Sequence, residues 1–124
     1  MPAKPSRAPR SKPVVRFRLR ITTGDTVAIG PGKIQLLEAI RHTGSLSAAA
    51  RSIDMSYRRA WLLINELNGA LKAPAVESAK GGEHGGGSVL TQVGERLIEQ
   101  YRSIEDAAAA SCKAQIRALT SLLA

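Results

Sequence analysis

The chain has 124 residues, which fits one domain, and its 18 Lys and Arg residues exceed its 10 Asp and Glu residues, giving a formal net charge of +8. No apolar run reaches the roughly 18 residues of a membrane-spanning helix, and the N-terminus lacks the apolar stretch of a secretory signal. The single cysteine, Cys112, excludes an internal disulfide, so we expect a cytoplasmic protein with no membrane partner.

The positive charge is concentrated at the N-terminus. Residues 1–20 hold seven of the 18 basic residues and no acid, whereas the rest of the chain holds 11 basic and 10 acidic residues. The proline-rich stretch 1–13 has few apolar residues, which predicts a disordered basic arm. Two interpretations of the arm stay open: it lies along nucleic-acid phosphates, or it only keeps the chain soluble.

A β-hairpin is predicted after the arm. Residues 15–21 alternate apolar and cationic side chains, which indicates a strand with one buried face and one basic face. A turn at 23–25 and a second strand over 26–29 complete the hairpin. The Gly-Pro-Gly run at 30–32 ends it, and its proline suits the first turn of a helix.

Three helices are predicted next, over 33–43, 46–53 and 57–71. Gly44 is placed to end the first helix. A three-residue turn joins the second and third helices, and a serine precedes each of them as a cap. This arrangement is typical of a helix-turn-helix, whose second helix enters the major groove of DNA.

The next segment has the pattern of a wing. Short strands are predicted over 75–79 and 88–90, around a loop with five glycines in the eight residues 80–87. A glycine-rich tip lets the backbone pass close to a phosphate or enter the minor groove. The alternative interpretation is a loop without order in the absence of DNA.

A long helix is predicted over 92–124, capped by Thr91. Its apolar residues recur at spacings of three and four, and a stripe of this length overhangs so small a domain. We therefore expect it to pair with a second copy of the chain. The stripe consists of Val93, Leu97, Tyr101, Ile104, Ala108, Cys112, Ile116 and Leu119.

Together these elements predict a mainly α fold with small β content: a winged helix-turn-helix with a long C-terminal dimerisation helix. We divide the chain into a disordered basic arm (1–13), a winged helix-turn-helix DNA-binding domain (14–91) and a dimerisation helix (92–124).

The candidate DNA-binding residues lie at the helix starts and at the wing tip. Arginine can fork onto guanine or hold a phosphate, and cations at a helix N-terminus oppose the helix dipole, which favours an external role over a merely solvated helix end. Serines at helix starts can cap the helix, bind phosphate, or do both. The predicted DNA-binding residues are Ser45, Ser47, Ser56, Tyr57, Arg58, Arg59, Lys80 and His84.

No catalytic, metal or cofactor site is predicted. The glycine loop lacks the Lys-Ser/Thr pair of a nucleotide-binding loop, and His84 has no Cys or His at ligand spacing. No acid pair or nucleophile–base set stands out, so we do not expect an enzyme. Trp61 is predicted to be a core anchor between helices, and Cys112 an inert packed residue.

From about residue 19 to residue 109, the sequence resembles the DNA-binding half of the ModE family of bacterial molybdate-responsive repressors. The resemblance is carried by 44–50 (GSLSAAA), 55–61 (MSYRRAW), the glycine groups of the wing loop and 90–94 (LTQVG). A more distant similarity links the chain to the LysR-type winged helix. Asp54 stands where the family usually has glycine in the turn, and Asp tolerates the left-handed backbone better than most residues.

The resemblance implies a homodimer that binds operator DNA, and hence a repressor of molybdate-related genes. The family's oxyanion-binding barrels follow after about residue 110, where this sequence continues as an alanine-rich helix. We therefore expect constitutive regulation or a separate oxyanion-sensing partner. The alternative is a nucleoid-type or partner-binding winged helix with a basic tail and no specific operator, which would lose sequence discrimination at physiological salt.

Overall fold

The computed structural model describes residues 11–79 and 87–124, so most of the predicted basic arm lies outside the described residues. Strand β1 pairs with β2, and β3 pairs with β4, both antiparallel. The predicted winged helix-turn-helix, mainly α with small β content, is confirmed. In chain order the elements are β1 (Ile21–Thr23), β2 (Thr26–Ile29), α1 (Pro31–Thr43), α2 (Leu46–Ser52), α3 (Tyr57–Ala70), β3 (Val76–Ser78), β4 (Ser88–Leu90), α4 (Gln92–Ser111) and α5 (Lys113–Thr120).

Helix α1 lies at the centre of the hydrophobic core. It begins at Pro31, whose ring suits the first helical position, and ends at Gly44, whose φ of 81° is left-handed. Leu36 and Leu37 in its middle are 0% exposed. Helices α2, α3 and α4 and strand β4 all contact α1, so this helix sets the position of each of them.

The turn between α2 and α3 has the predicted construction. Ser45 and Ser56 cap the two helices, and each side chain accepts a hydrogen bond from the backbone N–H three residues later at 3.1 Å. Asp54 has a φ of 55°, so it takes the left-handed conformation that the turn requires. Ala49 and Ala50 of α2 are buried, and their small side chains allow the helices to pack closely.

The wing is fixed at its base. The Oδ1 of Asn68 in α3 accepts a hydrogen bond from the backbone N–H of Ala75 at 2.8 Å, and its Nδ2 donates to the carbonyl of Val76 at 3.1 Å. The backbone N–H of Ser88 donates to the carbonyl of Gly44 at 2.9 Å. The wing base therefore lies against both α3 and the C-terminal end of α1.

The N-terminal strand differs from the prediction. Strand β1 covers Ile21–Thr23 rather than 15–21. Its partner β2 has only four residues before the chain enters α1, so residues 15–20 have no neighbouring strand with which to form ladder hydrogen bonds. The alternation survives in the burial pattern, since Phe17 and Leu19 are partly buried while the arginines beside them are exposed.

Tyr101 of α4 holds this N-terminal segment in place. Its hydroxyl donates a hydrogen bond to the carbonyl of Leu19 at 2.9 Å. Burial of the ring, followed by the nearby Glu105 carboxylate, raises the pKa of the Tyr101 phenol. The hydroxyl therefore remains protonated and available as a donor.

A long C-terminal helix is present as α4, but it does not run unbroken to residue 124. It ends at Ser111, and Cys112, with φ −107° and ψ 19°, separates it from α5. Packing against the core stops earlier, at Tyr101, and no residue of α5 is buried. Continuity beyond the core is therefore not enforced by tertiary contacts, and Ser and Cys are weak helix formers. The stripe prediction also missed Ile98, which is buried.

Gly94 marks a close approach between α4 and the wing base, and it generates a stability prediction. A Cβ at this position would lie 2.4 Å from the carbonyl oxygen of Ala75. We expect Gly94→Ala to lower the free energy of unfolding by about 1–3 kcal/mol, the usual cost of overpacking. Urea unfolding monitored by circular dichroism measures it.

Gly69→Ala in α3 is the matched control. Nothing lies within 4 Å of a Cβ added at Gly69, so better helix propensity should stabilise the protein by up to about 1 kcal/mol. A Gly94→Ala variant as stable as the parent would contradict the close approach.

Candidate nucleic-acid interface

Helix α3 carries a stripe of exposed side chains on the side away from the core. Its buried residues are Ala60, Ile64 and Leu67. Successive helical residues are about 100° apart, so Arg58, Leu62 and Asn65 fall on the opposite side, and all three are exposed. The amide of Asn65 donates to the carbonyl of Trp61 at 2.8 Å, which leaves its Oδ1 to offer a ligand. This outward stripe is the part of α3 that can enter a groove.

A cleft of about 430 Å³ lies between α3 and the wing. Tyr57 and Trp61, one helical turn apart on α3, line it and are 56% and 50% exposed. Ser47, Ser88 and Glu77 line it as well. The structure thus brings two predicted site residues, Ser47 and Tyr57, together in one cleft, and adds an indole and a carboxylate that the sequence analysis did not include.

Trp61 is not the core anchor that its apolar neighbours suggested. The interior beside α3 is filled by the aliphatic side chains of α1 and by Ala60, which is fully buried, and the indole is left at the edge that faces the wing. A signal was present in the sequence. Trp61 follows Tyr57 by four residues, so a helix that presents one of them to DNA presents both.

Arg58 and Arg59 lie on different sides of α3 although they are adjacent in sequence. Arg58 belongs to the outward stripe, whereas Arg59 lines a depression beside the N-terminal hairpin, together with Arg18 and Arg20. Adjacency at the start of one helix predicts a single role for both arginines, whereas the structure gives them different surroundings.

An ion pair between a buried lysine and a half-exposed glutamate joins α1 to α3. Lys33 is only 4% exposed, and its Nζ lies 2.5 Å from Oε1 of Glu66 in α3 and donates to the carbonyl of Val27 in β2. A buried ammonium without such partners would cost several kcal/mol, so the pair helps to fix α3 against the hairpin. The sequence did not indicate a role for Lys33, since a lysine near the start of a helix is expected to be exposed to solvent.

The remaining predicted site residues divide between helix caps and the wing tip. Ser45 and Ser56 use the acceptor side of their hydroxyls as caps, and their hydrogens remain able to donate to a phosphate. Lys80 and His84 lie outside the described residues. Contact of any of these residues with DNA stays a prediction.

Within residues 11–79 and 87–124, no group of three or more His, Cys, Asp or Glu side chains is arranged to hold a metal ion. No helix described there is long and apolar enough to cross a membrane.

Comparison with known sequences gives consistent relatives, although no family model matches. The chain is 49% identical over 77 residues to the molybdenum-pterin-binding protein MopB of Rhodobacter capsulatus, covering 62% of this chain and 28% of that protein. It is 43% identical over 97 residues to the transcriptional regulator ModE of Yersinia pestis, covering 76% and 37%. It is 46% identical over 71 residues to the DNA-binding transcriptional dual regulator ModE of Escherichia coli K12, covering 57% and 27%. The chain thus spans about a third of the length of these relatives.

A solved structure supports the fold. The DNA-binding domain of CbnR, a LysR-type protein crystallised in complex with DNA, superposes with a TM-score of 0.55 at 23% identity, covering 71% of this chain and 95% of that domain. This likeness confirms the winged helix. The chain is thus similar, through the N-terminal region that contains this winged helix, to part of ModE and MopB proteins.

Proposed function

We propose that this chain is a sequence-specific regulator of transcription that binds double-stranded DNA as a homodimer. The observation that carries the proposal is the outward stripe of Arg58, Leu62 and Asn65, on a capped helix that has the wing on one side and the arginines that precede β1 on the other. Relatives named transcriptional regulators support it. Since the chain spans about a third of the length of these relatives, their activity is a proposal for this chain.

In this proposal α3 lies in the major groove. Its N-terminal residues meet base edges first, as in other helix-turn-helix proteins. Arg58 can fork onto guanine O6 and N7, Asn65 offers an acceptor, and Leu62 can contact a thymine methyl. The starts of α2 and α3, with Ser45, Ser47 and Ser56, approach backbone phosphates and set the register.

A nucleoid-type protein is the competing function, favoured by the concentration of basic residues in 1–20. The two functions differ in discrimination. A regulator keeps a preference for its site over random DNA at physiological salt, whereas a nucleoid protein binds through phosphates and loses it. Selection of binding sites from random duplexes distinguishes them and defines the site for the variants below.

Arg58→Ala tests the reading surface. We expect affinity for the selected site to fall about 10- to 100-fold, in line with loss of one arginine fork onto guanine, and the preference over scrambled DNA to fall with it. The melting temperature should stay unchanged, because the side chain is exposed. Fluorescence anisotropy with labelled duplexes measures both affinities.

Arg117→Ala is the control for Arg58→Ala, since Arg117 is an exposed arginine on α5, away from α3. It should bind like the parent. If Arg58→Ala also binds the selected site as tightly as the parent, the outward stripe is not the reading surface.

The dimer is proposed from apolar surface along α4. Phe17, Leu19, Ile104 and Ala108 supply the apolar surface of a groove there, which Arg18 and Glu105 also line, and Ile104 is 48% exposed. Arg102 holds α4 to α1 by a two-pronged contact with Glu38, at 2.9 Å from Nε and 2.5 Å from Nη2. These hydrogen bonds raise the pKa of Arg102.

Such a surface needs a cover, and a second copy supplies it with two-fold symmetry. Two recognition helices related by that symmetry read a pseudo-palindromic operator, with half-sites about 34 Å apart or a multiple of it. A dimer bound over a promoter represses by occupancy, which is the mode we propose for molybdate-related genes.

Ile104→Glu tests the dimer. A carboxylate within the apolar groove should convert the dimer to monomers, because burying an unpaired charge is costly. Sedimentation velocity at micromolar concentration measures the change, and Ala110→Glu, an exposed position on another side of α4, is the matched control. A parent chain that sediments as a monomer would contradict the proposal.

Oxyanion sensing is proposed to belong to a separate partner. Three arginines of the described chain share a depression, but that set is exposed beside α3, where an anion would compete with DNA. Isothermal titration of this chain with molybdate should therefore give no saturable heat at low micromolar ligand. Binding of one molybdate per subunit or per dimer in that range would show that the chain senses molybdate itself.

A further inference from the structure

The depression beside Arg59 is rich in positive charge. It has a volume of about 230 Å³, and its walls include the side chains of Arg18 and Arg20 as well as Arg59. No acidic side chain occurs among its lining residues, and within the described chain none of the three guanidinium groups has a carboxylate within 4.0 Å. Three cations held near one another without an internal counterion are a site for an anion.

The fourth cation of the depression is already neutralised. Lys33 lies in its wall, but Glu66 and the Val27 carbonyl take its ammonium group. Lys33 therefore supports the site by fixing hairpin, α1 and α3 to one another. The three arginines, which are exposed, are the groups that can bind an external ligand.

The position of the depression identifies the anion. An α-helix with its side chains is about 10–12 Å across, and the major groove is about 12 Å wide, so a helix in the groove places both flanks near a phosphate backbone. The wing-side cleft with Tyr57 and Trp61 is one flank of α3. The arginine depression is the other. When Arg58 faces the base edges, Arg59 faces a strand backbone.

We propose that Arg18, Arg20 and Arg59 form a binding site for one phosphodiester of the DNA backbone. The inference rests on the proposed function and deepens it, because it makes Arg59 a residue that positions the protein rather than one that reads sequence. Guanidinium groups match phosphate oxygens with paired N–H donors. The proposed site also gives a role to the arginines of the N-terminal segment, which the pairing of β1 with β2 does not require.

A dissolved oxyanion offers the arginines the same oxygen acceptors as a phosphodiester, but it is not held near them by other contacts. The arginines are exposed, so water and salt screen a small ion that binds there alone. A phosphodiester is delivered by a duplex already anchored at α3, which raises its effective concentration at the site. We therefore assign the site to DNA rather than to a dissolved ion.

Salt dependence separates phosphate binding from base reading. Removal of one arginine–phosphate interaction reduces the slope of log K against log salt concentration by about 0.9. Because the site binds one phosphodiester, Arg59→Ala and the double variant Arg18→Ala/Arg20→Ala should each reduce the slope by a measurable part of this step, and by no more than about 0.9, between roughly 50 and 200 mM KCl. Their affinities for the selected and scrambled duplexes should fall by the same factor, so the preference is kept.

Arg58→Ala and Arg117→Ala are the matched comparisons in the same titrations. Arg58→Ala should lose preference, and Arg117→Ala should change neither slope nor preference. An unchanged slope in the Arg59 and Arg18/Arg20 variants with native melting temperatures, or a loss of preference in Arg59→Ala, would overturn the assignment. A parent protein that shows no preference for the selected duplex would instead refute the proposed function. The difference in salt slope between the parent and the arginine variants would still test the phosphate site.

Inorganic sulfate and molybdate, titrated without DNA at constant ionic strength, complete the experiment. We expect no saturable binding below the millimolar range. Sub-millimolar binding that Arg59→Ala abolishes would show a site for a free oxyanion and would overturn the assignment to DNA.

Discussion

Burial of α1 is the constraint on which the rest of the structure depends. Its face of Ile34, Leu36, Leu37 and Ile40 is almost completely removed from water, and the aromatic content of one Phe, one Trp and two Tyr leaves aliphatic side chains to do this. Helices α2, α3 and α4 and strand β4 pack around this one helix. The relative positions of α3, the wing and α4 therefore all follow from a common contact surface.

Local chemistry then sets the direction of α3. The left-handed Asp54 and the caps at Ser45 and Ser56 fix the turn, and the Lys33–Glu66 pair ties α3 to α1 on one side. On the other side Asn68 ties α3 to the wing base. Held on both flanks, α3 exposes the apolar Leu62 and the indole of Trp61 from a fixed backbone, and such preorganisation lowers the conformational cost of binding a partner.

Positive charge is distributed unevenly along the chain and around α3. The chain outside its first 20 residues is nearly neutral, and acidic side chains lie on α3 itself, at Glu66, and in the cleft beside it, at Glu77. A uniformly basic surface would hold any DNA equally, whereas isolated arginines between neutral and acidic groups penalise wrong registers. The proposed function thus assigns base reading to the outward stripe and phosphate binding to the arginine depression, which lie on separate sides of α3.

The sequence by itself determined the elements whose signals are local. Serine caps, the glycine that ends α1, the turn at Asp54 and the helical periodicity each depend on neighbours within a few residues, so the helix-turn-helix and wing were predictable. The tertiary structure decided what depends on distant partners. Strand β1 was shortened because β2 offers so short a ladder, and α4 ended at Ser111 where core contacts had already ceased. Trp61 became a surface residue because α1 and Ala60 had already filled the interior, and Arg59 joined Arg18 and Arg20 only through the packing of the hairpin on α3.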